Sequence, residues 1–164
     1  TSGTPSATTF LRGDKTWQTA GGDNLPYFQA YNSTGPAIAS GTETFIVLDQ
    51  EDLDSGGQFA GNVFTPTVVG KYFLYLHVVL EWDSNGALPA YAGITKNGTV
   101  VTKWMRTMPV GGGNAMGGYT LQSANGSSDY FGAVVYQNSG EGRSLFSNDG
   151  DTRRTFFGGF KLAT

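Results

Sequence analysis

The chain of 164 residues contains no cysteine and only one histidine. Without cysteine it forms no disulfide, no thiolate zinc site and no cysteine nucleophile. A single histidine also excludes most catalytic triads and His-rich metal sites. We therefore expect no metal site, no cofactor and no enzymatic activity.

Charge and long apolar runs are also scarce. Charged residues make up 14% of the chain, the formal net charge is −3, and no run approaches the ~18 apolar residues that a membrane helix needs. A weakly acidic chain has no general electrostatic attraction to nucleic acid or to anionic membranes. The composition therefore predicts neither a nucleic-acid partner nor membrane insertion.

Glycine and aromatic residues are abundant instead. The chain has 25 glycines, 38% hydrophobic residues and 13% aromatic residues, which supply a core and argue against disorder. Short β-type runs alternate with turn residues, and no segment has a sustained helical period. Asn97-Gly98 is a strong two-residue hairpin signal. We predict an all-β sandwich or barrel with strands near residues 26–31, 44–49, 62–65, 71–80, 91–96, 99–106, 118–123, 129–137 and 155–162.

The composition changes near residue 25. Residues 1–24 are rich in Thr, Gly and Ser, which predicts a linker or the end of a stalk, whereas residues 25–164 form the predicted β domain. The chain begins without an initiator methionine, so we expect it to be a fragment of a longer protein.

Segment 71–80 alternates with a period of two, yet both of its faces are apolar or aromatic. Segment 129–137 has the same property. A monomeric antiparallel sandwich normally leaves one face polar, so the second face is expected to contact another subunit. The alternative is a loop of the same chain that covers this face. The candidate interface residues are Phe73, Tyr75, His77, Val79, Tyr130 and Tyr136.

The order of motifs from Pro26 to Leu162 resembles that of tumour-necrosis-factor-like and complement globular-head domains. The matching segments are Tyr27-Phe28-Gln29-Ala30-Tyr31, Thr44-Phe45-Ile46-Val47-Leu48, Gly56-Gly57-Gln58-Phe59, Phe64-Thr65-Pro66, Gly70-Lys71-Tyr72-Phe73-Leu74, Ile94-Thr95-Lys96-Asn97-Gly98 and Phe157-Gly158-Gly159-Phe160-Lys161-Leu162. The resemblance implies a jelly-roll β-sandwich of about ten antiparallel strands that assembles as a compact homotrimer.

A second resemblance lies upstream of this domain. The segment resembles one that precedes the C-terminal domain of bacteriophage tail-fibre and receptor-binding proteins, and it reads Thr8-Thr9-Phe10-Leu11-Arg12-Gly13-Asp14-Lys15-Thr16-Trp17. This resemblance implies the distal, trimeric head of a phage tail fibre, carried on the virion and joined to an upstream fibre shaft.

The lengths of the predicted connections differ between the two ends of the sandwich. Connections 67–70, 97–98 and 124–128 are tight, whereas 81–90, 107–117 and 138–154 are long. If the first strand runs parallel to segment 71–80, as in the resembled family, the N-terminal stalk enters at the tight end. The long loops then point away from the fibre, and recognition residues concentrate on such loops.

These long loops contain the candidate receptor-binding residues. An indole beside carboxylate and amide groups is typical of sugar-binding sites, and the glycine-rich segment 111–116 predicts a flexible loop that adapts to a ligand. The alternatives are that Trp82 is the last core residue of its strand and that the glycines form a loop without a ligand. The candidates are Trp82, Asp83, Asn85, Arg106, Met108, Asn114, Met116, Asn148, Asp149, Asp151 and Arg153.

An acidic cluster is formed by Asp49, Glu51, Asp52 and Asp54. Its oxygens suit calcium, but the spacing does not match an EF-hand loop, which needs glycine at its sixth position and glutamate at its twelfth. A solvated loop is the favoured interpretation.

Together these features predict a receptor-binding head that attaches a virion to a glycan or outer-membrane receptor on the bacterial surface. One alternative is a structural cap that trimerises the fibre and has no ligand. Another is a glycan-degrading tail enzyme, which we disfavour because such enzymes usually carry longer β-helical bodies.

Overall fold

The computed structural model describes residues 4–6, 9–19, 24–81, 88–108, 113–147 and 153–163. These residues form strands, turns and irregular segments and include no helix. The strands are β1 (Thr9–Leu11), β2 (Trp17–Thr19), β3 (Tyr27–Tyr31), β4 (Ala37–Ile38), β5 (Thr44–Phe45), β6 (Gln50–Asp54), β7 (Phe59–Ala60), β8 (Val63–Phe64), β9 (Val69–Glu81), β10 (Leu88–Lys96), β11 (Thr99–Met108), β12 (Gly113–Asn125), β13 (Phe131–Gln137), β14 (Arg143–Ser144) and β15 (Phe156–Ala163).

Two antiparallel sheets contain most of these strands. The five-stranded sheet has the order β12-β9-β15-β3-β6, and the six-stranded sheet has the order β11-β10-β13-β8-β7 with β5 paired to β13. Strands β1 and β2 form a separate hairpin, and β4 pairs with β14. Within the described ranges, no helix has the length and apolar character that crossing a bilayer requires.

The core lies between the inner faces of the two sheets. At its centre, the ring of Phe28 stacks on Phe64 at 4.2 Å and on Phe59 at 5.4 Å, and the edge of Phe157 meets it at 5.0 Å. Phe28 is 1% exposed. Burial of such side chains is the main favourable term in folding.

Strand β9 alternates as its sequence predicts. Its inner side chains, Tyr72, Leu74, Leu76, Val78 and Leu80, are all buried. Burial raises the pKa of Tyr72 to about 12, while its hydroxyl donates to the carbonyl of Val68 at 2.6 Å. The outer side chains Phe73, Tyr75, His77 and Val79 are only half-buried, so the two-sided pattern in the sequence corresponds to two different environments.

The strand directions define two ends of the sandwich. Strands β3 and β9 are each antiparallel to β15, so they run parallel to each other, as expected. At the stem end lie the start of β3 and the Asn97-Gly98 turn, whose φ angles of 53° and 80° confirm the predicted hairpin. At the opposite end, the apex, Leu88 pairs with Met108 and Gly113 pairs with Glu81. Connections 82–87 and 109–112 therefore leave the sandwich at the apex, but both are shorter than the predicted 81–90 and 107–117, because the flanking strands extend further than predicted.

Some predicted elements differ from those in the structure. Residues 50–54, expected to be a solvated loop, form edge strand β6 on β3. Strand β12 begins at Gly113 rather than near residue 118, because its pairing with β9 continues through the glycines. The predicted linker contains the β1–β2 hairpin, in which the carboxylate of Asp14 accepts the backbone amide and hydroxyl of Thr16 at 3.0 and 2.7 Å.

Candidate functional site

Six of the predicted receptor-binding residues lie outside the described residues. They are Trp82, Asp83, Asn85, Asn148, Asp149 and Asp151. Their role in binding stays a prediction that follows from the sequence and from the position of the flanking strands at the apex.

Asn114 and Met116 are strand residues with buried side chains, each 5% exposed. They lie opposite Leu80 and Val78 on β9. The predicted flexible loop is therefore wrong from residue 113 onward, because backbone pairing with β9 holds this glycine-rich segment in the sheet. Both side chains are thus mostly covered by the chain itself, although Met116 contributes to the lining of a groove described below. No described residue accepts a hydrogen bond from Nδ2 of Asn114.

Arg106 on β11 and Arg153 contact opposite edge strands of the five-stranded sheet, β12 and β6. Arg106 donates through Nη1 to the carbonyl of Ala115 on β12 at 2.7 Å. Arg153 pairs with Asp52 on β6 at 3.0 Å and covers the ring of Tyr31 at 4.0 Å. The Arg153 hydrogen bond holds the pKa of Asp52 below its ordinary value. The structure therefore does not bring these two candidates into one site. Met108 is the last residue of β11, and its side chain lies outside the described part of the structure.

The outer face of the five-stranded sheet is covered by aromatic side chains in register across four strands. We call this surface the aromatic face. Its three rows, each read from β12 through β9 and β15 to β3, are Leu121-Phe73-Phe160-Tyr27, Tyr119-Tyr75-Gly158-Gln29 and Gly117-His77-Phe156-Tyr31.

Ring contacts connect these rows. Phe73 stacks on Tyr119 at 5.3 Å and contacts Phe160 at 5.4 Å, and the imidazole of His77 stacks on Phe156 at 5.2 Å. The Nδ1 atom of His77 lies 2.7 Å from the carbonyl oxygen of Arg154, so Nδ1 carries the proton in this contact because a carbonyl only accepts. The rings thus form a continuous apolar surface with polar atoms at its margins.

Glycine makes room for Tyr75 on this face. A Cβ atom on Gly158 would lie 2.3 Å from the Tyr75 hydroxyl oxygen, so the ring covers a position that only glycine leaves open. The hydroxyl donates to Oε1 of Gln29 at 2.8 Å. Burial, with a smaller contribution from the charge of Asp52, raises the pKa of Tyr75.

The β12 side of the aromatic face is open to solvent. Tyr119 is 68% exposed and Leu121 is 59% exposed. Contiguous exposed aromatic surface on a soluble domain is typical of an interaction site. The exposure favours contact with another molecule over the alternative of an intrachain loop lying on these residues.

The six candidate interface residues do not form one surface. Phe73, Tyr75, His77 and Val79 share the aromatic face, whereas Tyr136 lies on the six-stranded sheet and stacks on Tyr91 at 5.0 Å. Tyr130 lies at the stem end, where its backbone amide donates to Oδ1 of Asn97 at 3.0 Å. Segment 129–137 is buried on both faces within the chain, with only Tyr130 and Tyr136 half-buried, so the expectation that its second face contacts another subunit was wrong for this strand. Sequence periodicity does not say which sheet a strand joins.

A groove that the sequence analysis missed lies where the edges of the two sheets meet. Strands β11 and β12 border it, and its volume is about 610 Å³. We call it the edge groove, and its lining includes His77, Lys103, Trp104, Arg106, Ala115 and Gly117.

Three contacts between β11 and β12 close the seam beside the edge groove. The hydroxyl of Thr102 donates a hydrogen bond to the hydroxyl oxygen of Thr120 at 3.0 Å, and Arg106 donates to the carbonyl of Ala115. Between them the Trp104 indole covers Gly118, where a Cβ atom would lie 2.3 Å from Nε1. The sequence does carry a signal for this arrangement. Trp104 has cationic residues near it on β11, and the next strand contains the pair Gly117-Gly118.

Three carboxylates of the acidic cluster accept hydrogen bonds from other groups of the protein. Asp49 binds the amide and hydroxyl of Ser33, and Asp54 accepts the amides of Gln58 and Phe59 at 3.0 Å each. Asp52 binds Arg153. The described part of the chain contains no group of three or more His, Cys, Asp or Glu side chains arranged to hold a metal ion.

Comparisons with known proteins agree with this architecture. No family model and no curated protein matches the chain. Among solved structures, murine APRIL at pH 5.0 superposes with a TM-score of 0.60 and 17% identity, covering 83% of this chain and 98% of its own. The globular domain of zebrafish complement 1qA protein gives 0.58 and 16%, covering 84% and 97%. The Eiger TNF from S. frugiperda gives 0.53 and 14%, covering 84% and 92%.

These likenesses show the fold. The protein is an all-β jelly-roll sandwich of the kind found in tumour-necrosis-factor-like and complement globular-head domains, as predicted. At 14–17% identity they do not show what the chain binds.

Proposed function

We propose that three copies of this chain associate through their aromatic faces and form the receptor-binding head of a bacteriophage tail fibre. The head attaches the virion to a glycan or outer-membrane receptor on the bacterial surface. It is the distal end of the fibre, with the shaft upstream, and it acts by binding rather than by catalysis.

The aromatic face is the observation that carries this proposal. Domains of this fold commonly form homotrimers, and Tyr119 and Leu121 are too exposed to serve the fold of a single chain. Burying a large apolar side chain on association contributes about 1.5–3 kcal/mol. Threefold repetition then multiplies weak contacts with a surface receptor.

Chain direction supports the orientation of the head. Strand β3 starts at the stem end, where the amide of Lys161 donates to the carbonyl of Pro26 at 3.1 Å. The segment that resembles phage tail-fibre proteins lies just upstream. A shaft attached there leaves the apex, with its long connections, facing the host.

The assembly is tested by the mass of the folded chain in solution. The proposal predicts three times the chain mass of 17.4 kDa at micromolar concentration, measured by sedimentation or light scattering. A folded species with the mass of one chain would contradict it.

Attachment is tested separately by competition. The purified trimer should block adsorption of the phage that carries it, in proportion to trimer concentration. A trimer that does not compete would indicate a structural cap instead. Release of reducing ends from host polysaccharide would indicate a glycan-degrading enzyme, and neither result is expected.

A further inference from the structure

We propose that neighbouring copies of the chain meet through unlike edges of the aromatic face, with Leu121 of one copy seated in a pocket beside Leu53 of the next. This inference rests on the proposed function, because it assumes assembly through the aromatic face and assigns which parts of that face meet. Each copy then contributes a protruding side chain on one edge and a pocket on the other.

The pocket lies on the aromatic face between β3 and β6. Its lining includes Tyr27, Leu53, Tyr75 and Phe160, and its volume is about 370 Å³. We call it the β6 pocket. Leu53 belongs to the edge strand of the sheet and is 51% exposed. Apolar surface left open in this way marks an interaction site, and the β6 pocket has room for one large apolar side chain.

The opposite edge of the same face carries protruding side chains. Tyr119 and Leu121 on β12 are both mostly exposed. The ring of Tyr119 already stacks on Phe73, so we assign Leu121 rather than Tyr119 to the pocket. The aromatic face therefore has a projection at its β12 edge and a depression at its β6 edge.

The β6 pocket and Leu121 lie at the same height in the sheet. Leu121, Phe160 and Tyr27 belong to one row of the aromatic face, and Leu53 pairs with Gln29 of the adjacent row. A threefold axis along the stem-to-apex direction carries one copy onto the next without changing this height. Leu121 therefore reaches the level of the pocket in the next copy without a shift along the fibre.

Symmetry and charge favour contact between unlike edges. A ring of three identical copies closes only through heterologous contacts, in which two different patches of the chain meet. Contact between two β6 edges would bring together two copies of the exposed Glu51, and contact between two β12 edges would bring together two copies of the exposed Arg106 beside that strand. Contact between unlike edges instead places these opposite charges on facing edges, which favours the correct pairing.

Disulfide trapping tests this contact directly, because the chain has no cysteine of its own. Leu53 and Leu121 of one chain lie on edge strands that are four strand spacings, or about 19 Å, apart. A disulfide needs Cα atoms within about 7 Å of each other, so cysteines at these two positions can be linked only between copies. Under mild oxidation, a chain with Leu53→Cys and Leu121→Cys should give covalently linked trimer on a non-reducing gel.

The single-cysteine variants are the controls. Leu53→Cys alone and Leu121→Cys alone should form no linked species, whereas the two refolded together should form linked pairs that contain one chain of each. Linking of Leu121→Cys to itself would show that like edges meet and would overturn the proposal. A chain with Leu53→Cys and Val101→Cys should not link, because Val101 lies on the other sheet.

A substitution in the β6 pocket tests the same contact without a cross-link. Leu53→Lys should raise the concentration at which half of the chains are assembled by about tenfold, because a leucine contact is lost and a charge faces apolar surface. The fold of the single chain should be unchanged, since Leu53 is exposed. Val101→Lys is the matched control, and equal assembly of the two lysine variants would overturn the proposal.

Failure here can be distinguished from failure of the proposed function. If the unaltered chain has the mass of three copies but neither oxidation nor a short bis-maleimide links the double-cysteine variant, the aromatic faces meet in another arrangement and only this inference is wrong. If the unaltered chain stays single, the proposed assembly is wrong and this contact is wrong with it. A linked trimer that does not block phage adsorption would support the contact and contradict the attachment proposal.

Discussion

The two faces of the five-stranded sheet are both apolar, yet they serve different purposes. On the inner face, Leu74 and Val78 of β9 are 0% exposed. On the outer face, Phe73 of the same strand is half-buried, and Tyr119 and Leu121 on the neighbouring strand are mostly exposed. Side chains of the same chain cover the inner face fully, whereas the outer face stays partly exposed to solvent.

The side chains chosen for the two faces also differ. The inner face is mainly aliphatic around a stack of phenylalanines, which have no polar atoms to satisfy. The outer face uses Tyr75, His77 and Tyr119, whose rings pack together while Tyr75 and His77 bond their polar atoms to the protein. Such residues tolerate exposure to solvent in the single chain and would contribute buried apolar area on association. The comparison separates the residues that fold the chain from those that we propose assemble it.

The largest effect should come from Phe28→Ala on the inner face. The substitution removes the ring at the centre of the stack with Phe59, Phe64 and Phe157 and leaves a cavity. We expect the free energy of unfolding to fall by about 3–5 kcal/mol in urea or thermal titrations. Phe28→Leu should lose less, and a loss below that of an ordinary surface substitution would mean that the stack does not hold the two sheets together.

Leu121→Lys on the outer face should weaken assembly and leave the fold of the single chain intact, the opposite of Phe28→Ala. A charged side chain at an interface position disfavours association, at a cost of about 1.5–3 kcal/mol per copy, while one folded chain tolerates it because the residue is exposed. The solution mass should fall toward that of one chain, with the β-type circular dichroism unchanged.

Val101→Lys is the matched control. Val101 is 39% exposed on β11 of the other sheet, so lysine there should leave the mass unchanged. Dissociation of the Val101→Lys variant together with an intact Leu121→Lys assembly would place the interface on the six-stranded sheet and break the comparison.

Most of the fold could be predicted from the sequence because period-two patterns and turn residues act locally. The alternation of β9 and the hairpin at Asn97-Gly98 were both correct. The direction of β3 relative to β9 followed from the family resemblance rather than from these residues.

The candidate site was less predictable because it depends on contacts between distant residues. The glycine-rich segment 111–116 suggested a loop, yet the strand already begins at Gly113 because β9 pairs with it, and Trp104 needs the space above Gly118. Likewise, Tyr136 has the outward periodicity of an interface residue, but only the sheet order shows that it faces away from Phe73. The periodicity of the sequence predicts which side chains share one face of a strand, whereas only the strand order of the sheet shows which residues lie beside them.

Gly158→Ala should perturb the aromatic face from within the sheet. The new methyl group would collide with the Tyr75 ring, displace it and break its hydrogen bond to Gln29. We expect a loss of about 1–3 kcal/mol in the free energy of unfolding, together with weaker assembly. Gly142→Ala is the control, because its nearest described neighbour is 3.9 Å away. If the two variants have the same free energy of unfolding, the outer face accommodates a displaced Tyr75 ring, and the packing of that ring contributes little to stability.

The smallest effect should come from Asp129→Asn at the stem end, which lies on neither face. Asp129 accepts Nδ2 of Asn97 at 2.8 Å and pairs with Nζ of Lys96 at 2.9 Å, and these contacts hold its pKa below the ordinary value of 3.8. Because the folded-state pKa is the lower one, the carboxylate stabilises the fold above pH 3.8, and this contribution is lost as pH falls through the folded-state value. Thermal unfolding across this range should show the variant less stable at neutral pH and nearly equal to the unaltered chain in acid. Its solution mass should not change. A stability difference that stays constant with pH would mean that geometry rather than the charge of Asp129 holds this turn.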